Sequence, residues 1–349
     1  MSPRVLLVTI FALAGTLLAV LTGGVPLVLI LFLLIVLGSI ALPEDPRRYL
    51  LRRVLRVVIT VFVAMAFVWM LVHNLPDASR QDETGVVAAM QRYVEWIAAL
   101  ISGDLGDSSY SETVLAGIRR TIPPSAQLML YSQVITLAIA IPGAMIGARL
   151  RGKWGDISFR ALGLFGLSTP VFVIGPILVF TFSIGELNLF GRSVGWSILP
   201  AGRYVPLGTG LRPHLASMAL PTVTMATTTI AIYLVLLRSE MLQQLKPDHV
   251  LLARSKGLSP RRIVRAHALR PAAPSVVAAI AAQSGALLSS TVIVEHLFTI
   301  PGFGDYVLVA IGRRDVVAVA GALFVIAAIL AVVNLFADAL LLVIDPRIT

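Results

Sequence analysis

The chain has 349 residues, 57% of them hydrophobic and 13% charged, and its mean hydropathy is +0.90. Soluble domains average about 45–50% apolar and about 25% charged residues, so this chain has too few polar side chains to cover a water-soluble globule. The lack of cysteine excludes a disulfide scaffold, a thiolate nucleophile, a thiolate zinc site and an iron–sulfur cluster. The net charge of +10 reads as Lys and Arg that orient spans in a bilayer, not as a nucleic-acid footprint.

Between Arg4 and Glu44 there are 39 residues without a charge. At 1.5 Å per residue that is about 58 Å of helix, enough for two short crossings. Thr22-Gly23-Gly24-Val25-Pro26 supplies the turn between them. A single basic residue in front, a long apolar stretch and no clear A-x-A site favour a retained hairpin over a cleaved signal peptide. Further charge-free runs at 57–76, 121–148, 161–185, 213–237, 271–294 and 316–337 bring the predicted spans to eight. With the N-terminus inside, the inner segments hold 19 of the 28 Lys and Arg, and the outer loops hold 11 of the 18 Asp and Glu. This bias puts both termini in the cytoplasm.

Two hydrophilic segments are long enough to carry structure. In the outer one, 74–124, Val86, Val87, Met90, Val94, Ile97, Ala98 and Ile101 recur at helical spacing beside Tyr93 and Trp96. Either an interfacial helix on the outer membrane face or a small helix packed on neighbouring loops fits that pattern. The inner one, 238–270, reads as two short helices around a glycine. Lys246-Pro247-Asp248 opens the first, with Asp suited to the helix dipole, and Gly257 ends it in a left-handed conformation. Ser259 is the expected hydroxyl N-cap and Pro260 the first residue of a second helix, 260–269, ending near Pro271. The segment carries Arg238, Lys246, Arg254, Lys256, Arg261, Arg262, Arg265 and Arg270. Anionic headgroups would explain basic residues, but not two capped helices joined by a glycine, so a docking element for a cytoplasmic partner is preferred.

Several chemistries can be set aside. Gly147 to Trp154 has the spacing of a phosphate loop, yet Trp154 stands where Ser or Thr must reach Mg²⁺, and a span precedes it instead of a strand. The chain therefore has no expected ATP site. His73, His214, His249, His267 and His296 contain no metalloprotease spacing, and His73 and His214 are expected at the membrane interface. Ser284-Gly285 lacks the surroundings of an intramembrane serine protease; small residues there suit close helix packing. Asp338 is the one ionisable residue clearly inside an apolar stretch, near its inner end, which weakens a secondary-carrier reading. Pro142, Pro170, Pro176 and Pro221 remove helical hydrogen bonds. Thr222, Thr224, Thr227, Thr228 and Thr229, with Gln283, Ser284, Ser289, Ser290 and Thr291, make polar helix faces at membrane depth. Such faces line a translocation path or bond neighbouring helices; Thr224, Thr227, Thr228, Gln283 and Ser284 are the path candidates. No catalytic, cofactor or metal residue is assigned.

Ala253-Arg254-Ser255-Lys256-Gly257-Leu258-Ser259-Pro260-Arg261-Arg262, continuing to His267-Ala268-Leu269-Arg270, resembles the cytoplasmic signature loop of ABC importer permeases in its peptide/nickel version. The run from Val294-Glu295 through Pro301-Gly302-Phe303-Gly304 is similar to that group, as are Arg314-Asp315 and the closing Asp345-Pro346-Arg347. Gly103-Asp104-Leu105-Gly106 and Arg47 to Arg53 are similar as well. The likeness covers about 47–349, and Leu251 and Leu252 depart from the general Glu-Ala-Ala signature. It implies an all-α, polytopic membrane bundle with a six-helix ABC importer permease core (residues 47–349). That core carries an outer loop at 74–124 and a coupling loop at 238–272. The extra N-terminal two-helix hairpin, 1–46, lies outside the pattern. It also implies a second homologous permease subunit and two cytoplasmic ATPases that bind ATP and Mg. An extracytoplasmic substrate-binding protein, often a lipoprotein, completes the set. Asp248, Ala253, Arg254, Lys256, Gly257, Leu258, Ser259, Arg261, Arg262 and His267 would then couple the spans to an ATPase. The expected function is a non-catalytic, peptide-importing permease subunit working by alternating access in the cytoplasmic membrane. A secondary carrier without an ATPase is the competing reading.

Overall fold

The computed structural model describes residues 113–150, 152, 154–184, 187–189, 192–194, 198–245 and 248–344, with 102–108 and a few positions between 95 and 99. The N-terminal hairpin, the span at 57–76, His73, most of the outer segment 74–124 and the closing Asp345-Pro346-Arg347 lie outside the described residues. So do the side chains of Asp248, Arg254 and Asp338.

The described helices are α1 (Val114–Arg149), α2 (Trp154–Ser168), α3 (Val171–Val179), α4 (Leu211–Gln244), α5 (Asp248–Ser255), α6 (Pro260–Leu297), α7 (Phe303–Gly312) and α8 (Val316–Ile344). Among the described residues, stretches of α1, α4, α6 and α8 are long and apolar enough to cross a membrane. The expected single span at 161–185 is instead two pieces. Pro170 is extended (φ −63°, ψ 144°) and separates α2 from α3, because the ring removes a donor and disfavours the helical region for Thr169. A π turn, Phe180–Ile184, prolongs α3 past Pro176. Pro142 and Pro221 do not end their helices; both sit inside continuous α1 and α4, as neighbouring helices allow in a membrane bundle. A short antiparallel hairpin, β1 (Leu187–Leu189) and β2 (Arg192–Val194), pairs Leu187 with Val194 and was not anticipated from the sequence.

The chain divides into two compact units, residues 124–305 and residues 1–123 with 306–349. In the first, a stripe of small residues sets the packing. Ala140, Ala144 and Ala148 recur every four residues on α1 and are buried against Tyr233, Leu234, Leu237 and Met241 of α4. Thr136 Oγ1 meets Thr229 Oγ1 at 2.9 Å, and a Cβ on Gly147 would lie 3.2 Å from Arg238 Cδ. The paired numbers rise together, so α1 and α4 run parallel, as two spans separated by one return crossing must. Between lipid-embedded helices, close backbone approach through small residues supplies the packing energy that the hydrophobic effect supplies in water. A second cluster joins Leu128, Met218, Met225, Leu287, Val294, Phe298 and Ile300.

In the second unit, Gly106 (φ +81°) lets residues 104–108 turn tightly against Val317, 2.7 Å from where a Cβ would stand. Ser108 Oγ donates to Asp315 Oδ2 at 2.5 Å, and Asp315 Oδ1 accepts the Ala318 N–H at 3.1 Å. Asp315 thereby caps α8 while holding the turn at 104–108 to it.

Candidate functional site

The elbow between α5 and α6 is built around a core of its own. Val250 and Ala253 of α5 and Ile263 of α6 are buried together, sealed by Leu245 and Leu258. The turn carries the 6→1 bond of a Schellman motif, the Leu258 N–H donating to the Ala253 carbonyl at 3.2 Å, after the Lys256 N–H has closed the last helical turn on the Leu252 carbonyl at 3.1 Å. Gly257 takes φ +75°, the left-handed conformation expected of it, and a Cβ there would meet nothing within 4 Å. Backbone conformation, not space, is what demands glycine. The exposed side of the elbow is unusual for a polar loop: Leu251 is 68% and Leu252 56% exposed. Around them lie Ser255, Lys256, Arg261, Arg262 and Arg265, also exposed.

Two expectations about the elbow are corrected. Ser259 has N-cap backbone angles, but its hydroxyl makes no capping hydrogen bond; its carbonyl accepts the Ile263 N–H at 3.1 Å. The second helix does not end near Pro271. It runs unbroken from Pro260 to Leu297 through a π turn at Val264–Leu269. The wider turn stands where the Pro271 ring would press on the preceding carbonyl, and it leaves Pro271 in the first turn of the segment that follows. The buried Val264, Ala268 and Ala272 then pack α6 onto Ala144 and Ala148 of α1 and Leu237 and Met241 of α4. The elbow is thus continuous with one helix and wedged against two more. His267 is half-buried at that junction.

The path candidates lie on α4 and α6. Thr224 is buried and bonds the Leu220 carbonyl of its own helix at 2.8 Å, and Thr227 bonds Val223 in the same way. Ser284 returns its hydroxyl to Ala281 at 2.6 Å, and Gln283 is half-buried. The hydroxyls of Thr222 and Thr228, with Ser132 Oγ and Gln133 Oε1, are buried without a hydrogen-bond partner among the described residues.

Two polar clusters were missed from sequence. Glu295, fully buried, accepts the Ser125 hydroxyl at 2.5 Å and the Asp305 N–H at 3.0 Å. Ser125 Oγ in turn accepts the Phe303 N–H at 2.6 Å. A carboxylate from α6 and a hydroxyl from α1 therefore cap the first turn of α7. A Cβ on Gly302 would collide with the Glu295 carboxyl group, so that turn closes only over glycine. An acidic residue ending an apolar run, followed by glycines seven and nine positions on, was the available signal. His214, expected at the interface, is fully buried. Its Nδ1 lies 2.7 Å from the Val205 carbonyl, which fixes the proton there, so Nε2 accepts from Tyr131 at 3.1 Å. Tyr204 donates to Gln127 Oε1 at 3.0 Å. Burial, with the Tyr131 phenol beside it, raises the Tyr204 pKa and keeps that donor protonated.

Comparison with known proteins agrees with this geometry. Residues 140–349 match the family described as binding-protein-dependent transport system inner membrane component. The di/tripeptide transport system permease protein DppB of Pseudomonas aeruginosa is 32% identical over 74% of this chain and 80% of its own length. The probable peptide ABC transporter permease protein y4tP of Sinorhizobium fredii is 26% identical over 86% of this chain and 98% of its own. A putative peptide transport system permease protein of Brucella suis is 31% identical over 73% and 78%. With its membrane-length helices and a match over more than half its length, the chain belongs to the family of inner membrane components of binding-protein-dependent transport systems.

Proposed function

We propose that this chain is the non-catalytic permease half of an ATP-driven importer of peptides. It pairs with a second homologous permease subunit, two cytoplasmic ATPases that bind ATP and Mg, and an extracytoplasmic binding protein. Both termini face the cytoplasm. The observation that carries the reading is the α5–Gly257–α6 elbow. It pairs a buried apolar core with two solvent-exposed leucines, and α6 continues from it without a break as a helix long and apolar enough to cross a membrane. Leu251 and Leu252 seat in the ATPase; Lys256, Arg261 and Arg262 flank them. Closure of the ATPases moves the elbow, and α4 and α6 carry the movement to the spans, switching the bundle between inward- and outward-open states. Asp248, Ala253, Arg254, Leu258, Ser259 and His267 complete the coupling element. Thr224, Thr227, Thr228, Gln283 and Ser284 belong to the faces that rearrange along the path. Peptide cargo is inferred from the named functions of the relatives.

Gentle solubilisation with a tag on this chain tests the reading. Recovery of two ATPases and a homologous permease, with nucleotide hydrolysis in the purified complex, is the expected result. A homogeneous preparation of this chain alone that takes up peptide on a proton gradient without nucleotide overturns it.

A further inference from the structure

Two exposed residues of the 124–305 unit hold left-handed backbones to which neither is suited: Arg203 at φ +74° and Thr299 at φ +53°. Thr299 closes a Schellman turn at the end of α6. Its N–H donates to the His296 carbonyl at 3.4 Å, and the Ile300 N–H donates to the Glu295 carbonyl at 2.9 Å. Glycine is the ordinary occupant of that position, and a β-branched residue is among the least suited. The two turns touch: a Cβ on Gly202 would lie 2.9 Å from the Phe298 carbonyl oxygen.

Both turns are braced from beneath. Phe298 and Ile300 are buried on either side of Thr299, and the Glu295–Ser125 cage fixes the backbone that follows at 303–305. On the other turn, Tyr204 is tied to Gln127 and Val205 to His214 and Ser217. Strained backbones persist where the surroundings over-determine them, and they concentrate where a surface must hold one shape. Arg203 has no ion-pair partner among the described residues. A cation on a preformed, exposed turn loses little freedom when it meets an anion from outside.

We propose that Arg203 and Thr299 form a rigid contact knob for the extracytoplasmic binding protein, with Arg203 meeting a carboxylate on that protein. The inference rests on the importer reading and its sidedness. The family's dependence on a binding protein supplies the occupant. A long-range charge contact also suits a partner that must dock and leave in each cycle.

A photo-crosslinking amino acid at position 203 or 299 identifies the neighbour in intact cells. The binding protein so identified is then titrated against the purified, reconstituted complex while ATP hydrolysis is followed. R203E is expected to raise the half-saturating concentration about tenfold, with the unstimulated rate unchanged. It should also flatten the salt dependence of that concentration, which a merely structural role would leave alone. T299G, which relieves the strain, is expected to leave thermal stability equal or higher while weakening stimulation several-fold. R203A replaces R203E if the latter fails to assemble. Stimulation within twofold of wild type in both variants, or crosslinks to lipid or to the second permease alone, overturns the proposal. A complex that lacks ATPases, or that no binding protein stimulates, refutes the importer reading instead.

Discussion

The Leu258 N–H donates to the Ala253 carbonyl at 3.2 Å, tying the residue after the glycine bend to the buried face of the helix before it. That bond fixes the angle between α5 and α6. Leu258 also packs on Val250, Ala253 and Ile263, so the two helices share one core across the bend.

Gly257→Ala is expected to cost about 1 kcal/mol, the usual penalty for a left-handed non-glycine residue. Gly257→Val costs more. The penalty is conformational, since nothing lies within 4 Å of where a Cβ would stand. Uptake should fall more than tenfold in Gly257→Val at equal membrane abundance while nucleotide hydrolysis persists. Paired uptake and hydrolysis assays in proteoliposomes measure this.

Leu251→Ser with Leu252→Ser removes two leucines that are 68% and 56% exposed. Stability of this chain should stay within about 0.5 kcal/mol, as for ordinary surface changes. Recovery of the ATPases on the tagged chain should drop sharply. Co-purification alongside thermal melting in detergent separates the two effects.

Glu295→Ala removes the acceptor of both the Ser125 hydroxyl and the Asp305 N–H. Buried donors left without an acceptor cost about 1–3 kcal/mol. Ser125→Ala strands the Phe303 N–H and should cost a similar amount. Because the residues share one network, a double-mutant cycle by thermal melting should give a coupling of about 0.5–3 kcal/mol.

Asp315→Ala removes both the cap on Ala318 and the acceptor for Ser108. The expected loss is about 1–2 kcal/mol. Asp315→Asn, which keeps the cap geometry, should recover most of it in the same melting assay.

The elbow was legible because its signals are local: Gly257 for φ > 0 and Pro260 for a helix start. The membrane-length helices were legible because hydrocarbon tolerates no charge over about 20 residues. What escaped depends on partners distant in sequence. Pro271 looked like a helix end, yet the π turn before it accommodates the ring. Pro170 looked like one proline among four, yet it alone separates two helices. Glu295 and Ser125 are 170 positions apart, and no periodicity links them. His214 looked interfacial because it opens the charge-free run 213–237; its burial follows from Tyr131, Tyr204 and Val205 closing round it.

The most direct measurement follows labelled peptide into sealed vesicles carrying this chain and its partner permease, with the binding protein supplied, in the presence and absence of the ATPases. Uptake that needs both the ATPases and hydrolysable nucleotide, and that collapses in Gly257→Val, is the expected result. Equal uptake into vesicles without ATPases would contradict the account.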